Sequence, residues 1–83
     1  MILVTGAGGF IGSHLAEQLV RRGERVRAFI HYNSAGRRGW LDGSAVASEI
    51  EFVAGDIRDF DAVQRAIQGC SLVFHLAVLA GIP

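Results

Sequence analysis

The apolar residues of this chain fall into four short runs, separated by two segments in which apolar residues recur at helical spacing. The runs cover residues 2–4, 26–30, 51–54 and 72–76, and each has the length of a buried strand. The first helical segment begins near Ile11 and stops at Gly23, and the second covers 61–68, between Asp59 and Gly69. Strands that alternate with helices predict a parallel sheet joined by right-handed crossovers.

The ends of the second predicted helix carry clear signals. Asp59 and Asp61 are candidate N-caps, and Gly69 is a candidate stop. The stretch 31–48 is less regular, and we expect one short helix within it, over about 40–48.

A glycine-rich turn lies between the first predicted strand and the first helix. Residues 5–15 read Thr-Gly-Ala-Gly-Gly-Phe-Ile-Gly-Ser-His-Leu, so Gly6, Gly9 and Gly12 recur at every third position. We expect Gly6 to allow a sharp exit from the strand, Gly9 to let the backbone approach phosphate oxygens, and Gly12 to let the helix pack closely. Such a turn suits a pyrophosphate at a helix N-terminus. Glycine-rich turns can also serve geometry alone, but the flanking strand and helix favour a dinucleotide site.

Two other glycine motifs fail to match. The common G-x-G-x-x-G fingerprint would need a third glycine at Ile11. A phosphate-binding P-loop needs Gly-Lys-Ser or Gly-Lys-Thr, and the chain contains no lysine.

Composition limits which other classes of protein the chain can belong to. Eight arginines balance eight acidic residues, so the sequence predicts no electrostatic surface for nucleic acid or membrane, and we predict no metal site. Cys70 is the single cysteine, which excludes an internal disulfide and is expected to be a small buried thiol. We see no signal peptide, and the apolar stretch 72–82 has about half the length of a membrane span. The expected compartment is the cytoplasm.

Three segments together carry a resemblance to a known family. Thr-Gly-x-x-Gly-x-x-Gly at residues 5–12, Gly-Asp-Ile-Arg-Asp at 55–59 and Val-Phe-His-Leu-Ala at 73–77 resemble the extended short-chain dehydrogenase/reductase superfamily. Within it, the chain most resembles nucleotide-sugar epimerases and 4,6-dehydratases. His-Tyr-Asn-Ser at 31–34, followed by Gly-Trp-Leu at 39–41, resembles a dehydratase subgroup that acts on amino-sugar nucleotides.

The resemblance implies an α/β fold, a Rossmann-type parallel sheet with strand order 3-2-1-4. Residues 1–83 would be the N-terminal part of this NAD(P)-binding domain, with the substrate domain outside them. We expect the first two connections on one face of the sheet and the helix over 61–68 on the other. The resemblance further implies NAD or NADP as cofactor, a nucleotide-sugar substrate and a homodimer at full length.

The resemblance also assigns roles to individual residues. Asp56 would accept a hydrogen bond from the adenine amino group, assisted by the backbone of Ile57, although an aspartate there can equally be a turn or cap residue. The backbone of Phe10 and Ile11 would face the pyrophosphate, although their side chains can also be core.

The end of the fourth strand would lie beside the ribose and nicotinamide half of the cofactor. Leu76 and Ala77 occupy these positions, and Val78 departs from the second alanine that the family usually has. The full predicted cofactor-binding set is Gly6, Gly9, Phe10, Ile11, Gly12, His31, Asn33, Ser34, Asp56, Ile57, Leu76 and Ala77.

The choice between NAD and NADP depends on the end of the second strand. An acid about 20 residues beyond the glycine turn would bind the ribose hydroxyls of NAD. Ile30, His31 and Tyr32 stand there instead. The residues that follow, Asn33, Ser34, Arg37 and Arg38, can receive a 2′-phosphate, although the two arginines can equally lie at a solvated loop tip. We predict a preference for NADP.

Catalysis in the family resembles reversible hydride transfer, aided by a tyrosine with a lysine four positions later. The only tyrosine is Tyr32, and no lysine exists to pair with it, so we expect the catalytic pair after Pro83 and no catalytic residue within the chain. His75 and His14 are expected to be structural, with His75 packed in its strand. The alternative function is a non-catalytic NAD(P)-binding module for regulation or redox sensing.

Overall fold

A computed structural model describes residues 1–31 and 39–77. The strands are β1 (Ile2–Thr5), β2 (Val26–His31), β3 (Ile50–Gly55) and β4 (Leu72–His75), and the helices are α1 (Phe10–Arg21) and α2 (Phe60–Ile67). All neighbouring strands are parallel, in the order β3-β2-β1-β4. The predicted Rossmann-type sheet and its strand order are confirmed.

β1 occupies the middle of the sheet and is buried along its whole length. Val4 pairs with Ala28 of β2 on one side and with Phe74 of β4 on the other. A parallel strand that is covered on both faces is apolar throughout, which explains why β1 shows no polar alternation.

Successive residues of the strands serve opposite faces of the sheet. On one face, Ile2 and Val4 pack in a core that includes Ala16 of α1. On the other face, Leu3 and Phe29 pack against Ala66 of α2. The first two connections therefore share one face and α2 covers the other, as the crossover rule predicts.

The connection between β2 and β3 differs from the expectation. In place of one short helix over about 40–48, the structure has two separate 3₁₀ helices, Gly39–Leu41 and Ala47–Glu49. Gly43 lies between them with a positive φ of 81°, a conformation that a continuous helix cannot include. Leu41 and Val46 are buried against the α1 face of the sheet, so tertiary packing holds this connection in place.

The two helices begin differently. Asp59 caps α2 by accepting hydrogen bonds from the backbone of Asp61 and Ala62, which confirms Asp59 as an N-cap, while Asp61 lies in the first turn. α1 begins after Gly9, where no side-chain cap hydrogen bond is formed and no acid lies in the first turn. The N-terminus of α1 therefore lacks the capping side chain or acidic residue that usually binds the first amides of a helix.

Arg27 of β2 ties α2 to the sheet. Its guanidinium donates to the carbonyl oxygens of Ala66 and Gln68 at 2.7 and 2.6 Å and forms an ion pair with Glu51 at 3.1 Å. These carbonyls belong to the end of α2, where a cation also matches the helix dipole.

Cys70 lies next to this network and is only half-buried, so the expectation of a buried thiol is wrong. Its sulfur lies 3.5 Å from both Arg27 and the Ala66 carbonyl, where the C-terminal end of α2 reaches the surface. Over residues 1–31 and 39–77, no helix has the length and apolar character needed to cross a membrane.

Candidate dinucleotide-binding site

The glycine turn packs tightly against both the end of β4 and the start of α1. Gly6 has a positive φ of 66°, and a Cβ there would lie 2.8 Å from the Ala77 nitrogen and the Leu76 carbonyl carbon. A Cβ on Gly12 would overlap the Gly6 carbonyl oxygen, so α1 approaches the turn as closely as glycine allows. These two positions have no room for a side chain.

Gly9 plays a different part in the turn. Its amide donates to the Gly6 carbonyl at 3.1 Å, and a Cβ there would meet only that oxygen, at 3.4 Å. The backbone at Gly9 is otherwise open, so a ligand can approach it closely.

The start of α1 is a suitable place for an anion. The first backbone N–H groups of a helix have no partner within the helix, and here they belong to Phe10, Ile11 and Gly12. They lie at the positive end of the helix dipole, with no acid in the first turn to compete. This donor set fits a pyrophosphate, which needs N–H groups and positive charge at one point.

The side chains of Phe10 and Ile11 do not belong to the core. They are 57% and 71% exposed, so the core alternative for these side chains is wrong. The Phe10 ring meets the edge of Trp40 at 5.2 Å between centroids and the His14 ring at 4.5 Å. His14 is itself exposed and bonds through Nδ1 to the Phe10 carbonyl oxygen at 2.8 Å. An exposed aromatic cluster therefore stands beside the glycine turn.

The Thr5 hydroxyl joins the end of β1 to the end of β4. It accepts hydrogen bonds from the amides of Leu76 and Ala77 at 2.9 and 3.2 Å, and it lies 2.8 Å from Nδ1 of His75. Two accepted bonds use both lone pairs, so the hydroxyl hydrogen is directed to Nδ1. Within the described residues, the side chain of His75 is exposed rather than packed, which corrects the expectation.

Asp56 follows β3 at the same edge of the sheet. Its carboxylate binds the Arg58 guanidinium in a bidentate pair, at 3.0 Å for Nε and 2.6 Å for Nη2, and also accepts the Arg58 amide at 2.8 Å. These hydrogen bonds from Arg58 hold the pKa of Asp56 well below its usual range. The turn role considered for Asp56 is therefore real, and the remaining lone pairs of the carboxylate still allow it to accept an amine.

Parallel strands bring these residues to one place. Gly6, His31, Asp56 and Leu76 all follow or end a strand at the carboxyl edge of the sheet. α1 and α2 pack on opposite faces of the sheet, and the strand order reverses between β1 and β4, the position where open α/β sheets bind ligands. Ile57 packs against the Leu3 and Phe29 cluster. Two further predicted residues, Asn33 and Ser34, lie outside the described residues.

Several contributors were not predicted from the sequence. Thr5 belongs to the glycine motif, but the motif gives it no role, and the sequence predicts no contact for Arg58, Gly39 or Trp40. The contact of Arg58 with Asp56 is local, because the two residues are two positions apart. Gly39 and Trp40 instead contact Gly8, about 30 residues away in the chain, and no local pattern indicates that contact.

Comparison with known proteins identifies the family of the chain. A family model described as the NAD dependent epimerase/dehydratase family matches residues 2–83. The chain belongs to this family.

Three curated relatives show the range of the family. The chain is 41% identical over 80 residues to sterol demethylase protein B of Methylococcus capsulatus, covering 96% of this chain and 23% of that protein. It is 37% identical to 2-alkyl-3-oxoalkanoate reductase of Shewanella oneidensis, covering 95% and 18%. It is 34% identical to UDP-N-acetyl-alpha-D-glucosaminuronate decarboxylase of Bacillus cytotoxicus, covering 96% and 24%. The chain thus spans less than a quarter of the length of each relative.

Two solved structures match the whole fold. A short-chain dehydrogenase/reductase superfamily protein from Agrobacterium tumefaciens with bound NAD has a TM-score of 0.72 and 34% identity, covering 100% of this chain and 22% of that one. MoeE5 in complex with UDP-glucose and NAD has a TM-score of 0.69 and 33% identity, covering 98% and 23%. The family model therefore shows the family, and the two solved structures show the same fold.

Proposed function

We propose that this chain is the cofactor-binding portion of an enzyme that transfers a hydride at the sugar of a nucleotide sugar, as an epimerase or a 4,6-dehydratase. The observation that carries the proposal is the turn from Gly6 to Gly9, which leads into the start of α1, without a capping side chain, at the carboxyl edge of the sheet. When bound, the nicotinamide supplies reversible hydride transfer. In this proposal the catalytic tyrosine and lysine lie outside these 83 residues, which contain no lysine.

Each contact to the cofactor has a proposed donor or acceptor. The amides at the start of α1 bind the pyrophosphate, and Asp56 accepts a hydrogen bond from the adenine amino group. Leu76 and Ala77, fixed against Gly6 and Thr5, border the nicotinamide half. His31, with Asn33 and Ser34, borders the adenine ribose.

The cofactor in this proposal is NAD. The description of the family supports it, as do the two solved relatives that contain NAD. The absence of an acid at the end of β2 supports NADP instead, and that preference remains the prediction from sequence. Titration of the full-length protein with both cofactors separates the two. A dissociation constant for NAD about tenfold below that for NADP contradicts the sequence prediction, and the reverse ratio contradicts NAD.

The substrate class has two lines of support. MoeE5 is solved with UDP-glucose, and the Bacillus relative is named for a UDP-linked amino-sugar acid. The segments at 31–34 and 39–41 resemble a dehydratase subgroup for amino-sugar nucleotides, which favours the dehydratase. A homodimer is part of the same proposal.

A second candidate is a carbonyl reductase that consumes the reduced cofactor. The relative with 37% identity is named an oxoalkanoate reductase, and it favours this candidate. The non-catalytic module is not favoured, since all three curated relatives carry the names of enzymes.

The test is a product analysis with the full-length protein. The protein is incubated with a catalytic amount of NAD and a panel of UDP-sugars and UDP-amino sugars. A dehydratase yields a product that has lost one water, whereas an epimerase yields an isomer of equal mass. Gly12→Val is the control, because a side chain there meets the Gly6 carbonyl and should abolish cofactor binding. Conversion of no sugar, together with stoichiometric oxidation of reduced cofactor by a ketone substrate, would favour the reductase. A failure to bind either cofactor would contradict both candidates.

A further inference from the structure

The short 3₁₀ helix Gly39–Leu41 rests directly on the glycine turn. The Trp40 amide donates a hydrogen bond to the Gly8 carbonyl oxygen at 3.0 Å. Gly39 has a positive φ of 64°, and a Cβ there would overlap the same carbonyl group. Two backbone segments that are about 30 residues apart in the chain therefore touch with no side chain between them.

This segment is firmly held at its other end. Leu41 is completely buried in the core beneath α1. The Ser44 hydroxyl donates to the Glu17 carboxylate of α1 at 2.6 Å, and Val46 is buried in the same core. Because the anchor is fixed, the position of the Trp40 amide is fixed, and so is that of the Gly8 carbonyl that it binds.

Gly8 is directly followed by Gly9, after which α1 begins. A shift of the Gly8 carbonyl would consequently move the first amides of α1, since only one residue separates them. The edge contact of Trp40 with Phe10, whose amide is one of these donors, adds a second link between the same two segments. The contacts all act on the part of the turn that leads into the first amides of α1.

We propose that Gly39 is a fourth glycine of the cofactor site, a positioning residue that allows Gly39–Leu41 to hold the Gly6–Gly9 turn in its phosphate-binding geometry. This inference rests on the proposed function, because it assumes that the turn binds a dinucleotide. Gly39 does not contact the cofactor in this proposal. Its part is to let one backbone lie against another.

A matched pair of substitutions in the full-length protein tests the proposal. Gly43 lies in the same connection with a positive φ of 81°, but a Cβ there would meet nothing within 4 Å. Gly39→Ala and Gly43→Ala therefore share the backbone strain, and only Gly39→Ala adds the overlap with Gly8. We expect Gly39→Ala to raise the dissociation constant of the cofactor on the order of tenfold, and Gly43→Ala to change it less than about twofold. Equal dissociation constants for both variants and the wild type would overturn the proposal.

Asparagine provides a second pair that tolerates the left-handed conformation better. Gly39→Asn keeps the overlapping Cβ with less backbone strain, and Gly43→Asn is its control. We expect the same order of dissociation constants as for the alanine pair. A purely structural role for Gly39 would instead lower the melting temperature without changing cofactor affinity.

Hydrogen exchange in the wild-type protein tests the proposal without any substitution. If binding at the turn stabilises its contact with Gly39–Leu41, added cofactor slows exchange of the Trp40 amide. Slower exchange over residues 9–12 with no change at Trp40 would overturn the inference and leave the proposed function standing. If wild-type protein binds no cofactor, the proposed function itself fails, so the two failures are distinguishable.

Discussion

At the scale of single residues, the Thr5 hydroxyl is the acceptor that joins the end of β1 to the residues after β4. It accepts from two successive amides beyond the end of β4, where the sheet ladder has stopped. Thr5 is almost completely buried. Loss of the hydroxyl would leave these amides without their acceptor.

Thr5→Val therefore should destabilise the protein by about 1–3 kcal/mol, the cost of leaving hydrogen-bonding groups unpaired at a partly buried site. Valine has nearly the same shape, so packing is preserved. Urea denaturation of the full-length protein measures the effect, and Thr5→Ser is the control, because it retains the hydroxyl. A Thr5→Val protein as stable as the wild type would show that water replaces the missing acceptor.

The pair of Asp56 and Arg58 determines how Asp56 titrates. Arg58→Ala removes both the guanidinium bonds and their charge, so the pKa of Asp56 should rise toward its ordinary value of 3.8. In the wild type the lowered pKa means that the contribution of this pair to stability is present above about pH 4 and is lost as the pH falls toward the lowered pKa.

An NMR titration of the Asp56 carboxyl carbon follows this pKa directly. Arg65→Ala, on the exposed side of α2, is the control and should leave it unchanged. An unchanged pKa of Asp56 in Arg58→Ala would mean that the pair does not persist in solution.

Single residues also show how far the sequence can be interpreted. The close packing of Gly6 and Gly12 follows from their local motif, because strand, turn and helix are consecutive. The contacts of Thr5 with Leu76 and of Gly39 with Gly8 join distant parts of the chain, so no local pattern indicates them.

At the scale of elements, Arg27 fastens α2 to the sheet at the end that lacks a capping side chain of its own. The side chain is only 16% exposed and donates to two carbonyl groups of the helix end. Arginine can reach both carbonyls and Glu51 at once because its donors form a fixed fork.

Arg27→Ala should lower the free energy of unfolding by about 1.5–3 kcal/mol, the range for hydrogen bonds to charged groups. Arg27→Lys should recover only part of this loss, since one ammonium cannot replace the fork. Denaturation of the full-length protein measures both, with the exposed Arg25→Ala as control, expected within about 0.5 kcal/mol of wild type. Full recovery by lysine would assign the effect to charge alone.

The elements themselves were largely predictable. Apolar runs and helical spacing located the four strands and the two α-helices, because apolar residues form short runs in the strands and recur at helical spacing in the helices. The connection over 39–49 was not predictable, since its two 3₁₀ helices are held by Leu41, Val46 and the Gly8 carbonyl rather than by their own periodicity.

At the scale of the whole molecule, the sheet is unequally covered. α1 and the 39–49 connection cover one face, whereas the described residues cover the other only with α2, which has 8 residues. β4 is an edge strand with exposed apolar side chains, among them Leu72 at 48%. Parallel sheets are normally covered on both faces, and apolar edges promote association.

We therefore predict that residues 1–83, produced alone, aggregate or form a molten state. Light scattering and thermal unfolding followed by near-ultraviolet circular dichroism test this, with the full-length protein as control. A soluble monomer with a sharp cooperative transition would contradict the prediction.

The central place of β1 has a consequence for biosynthesis. Thr5 meets its partners at His75, Leu76 and Ala77, 70 to 72 residues further along the chain. A nascent chain on the ribosome can form β1, α1 and β2 early, but one edge of β1 stays unpaired until β4 has emerged. The glycine turn, although it is translated among the first of these residues, therefore acquires its final shape only when the last described strand arrives.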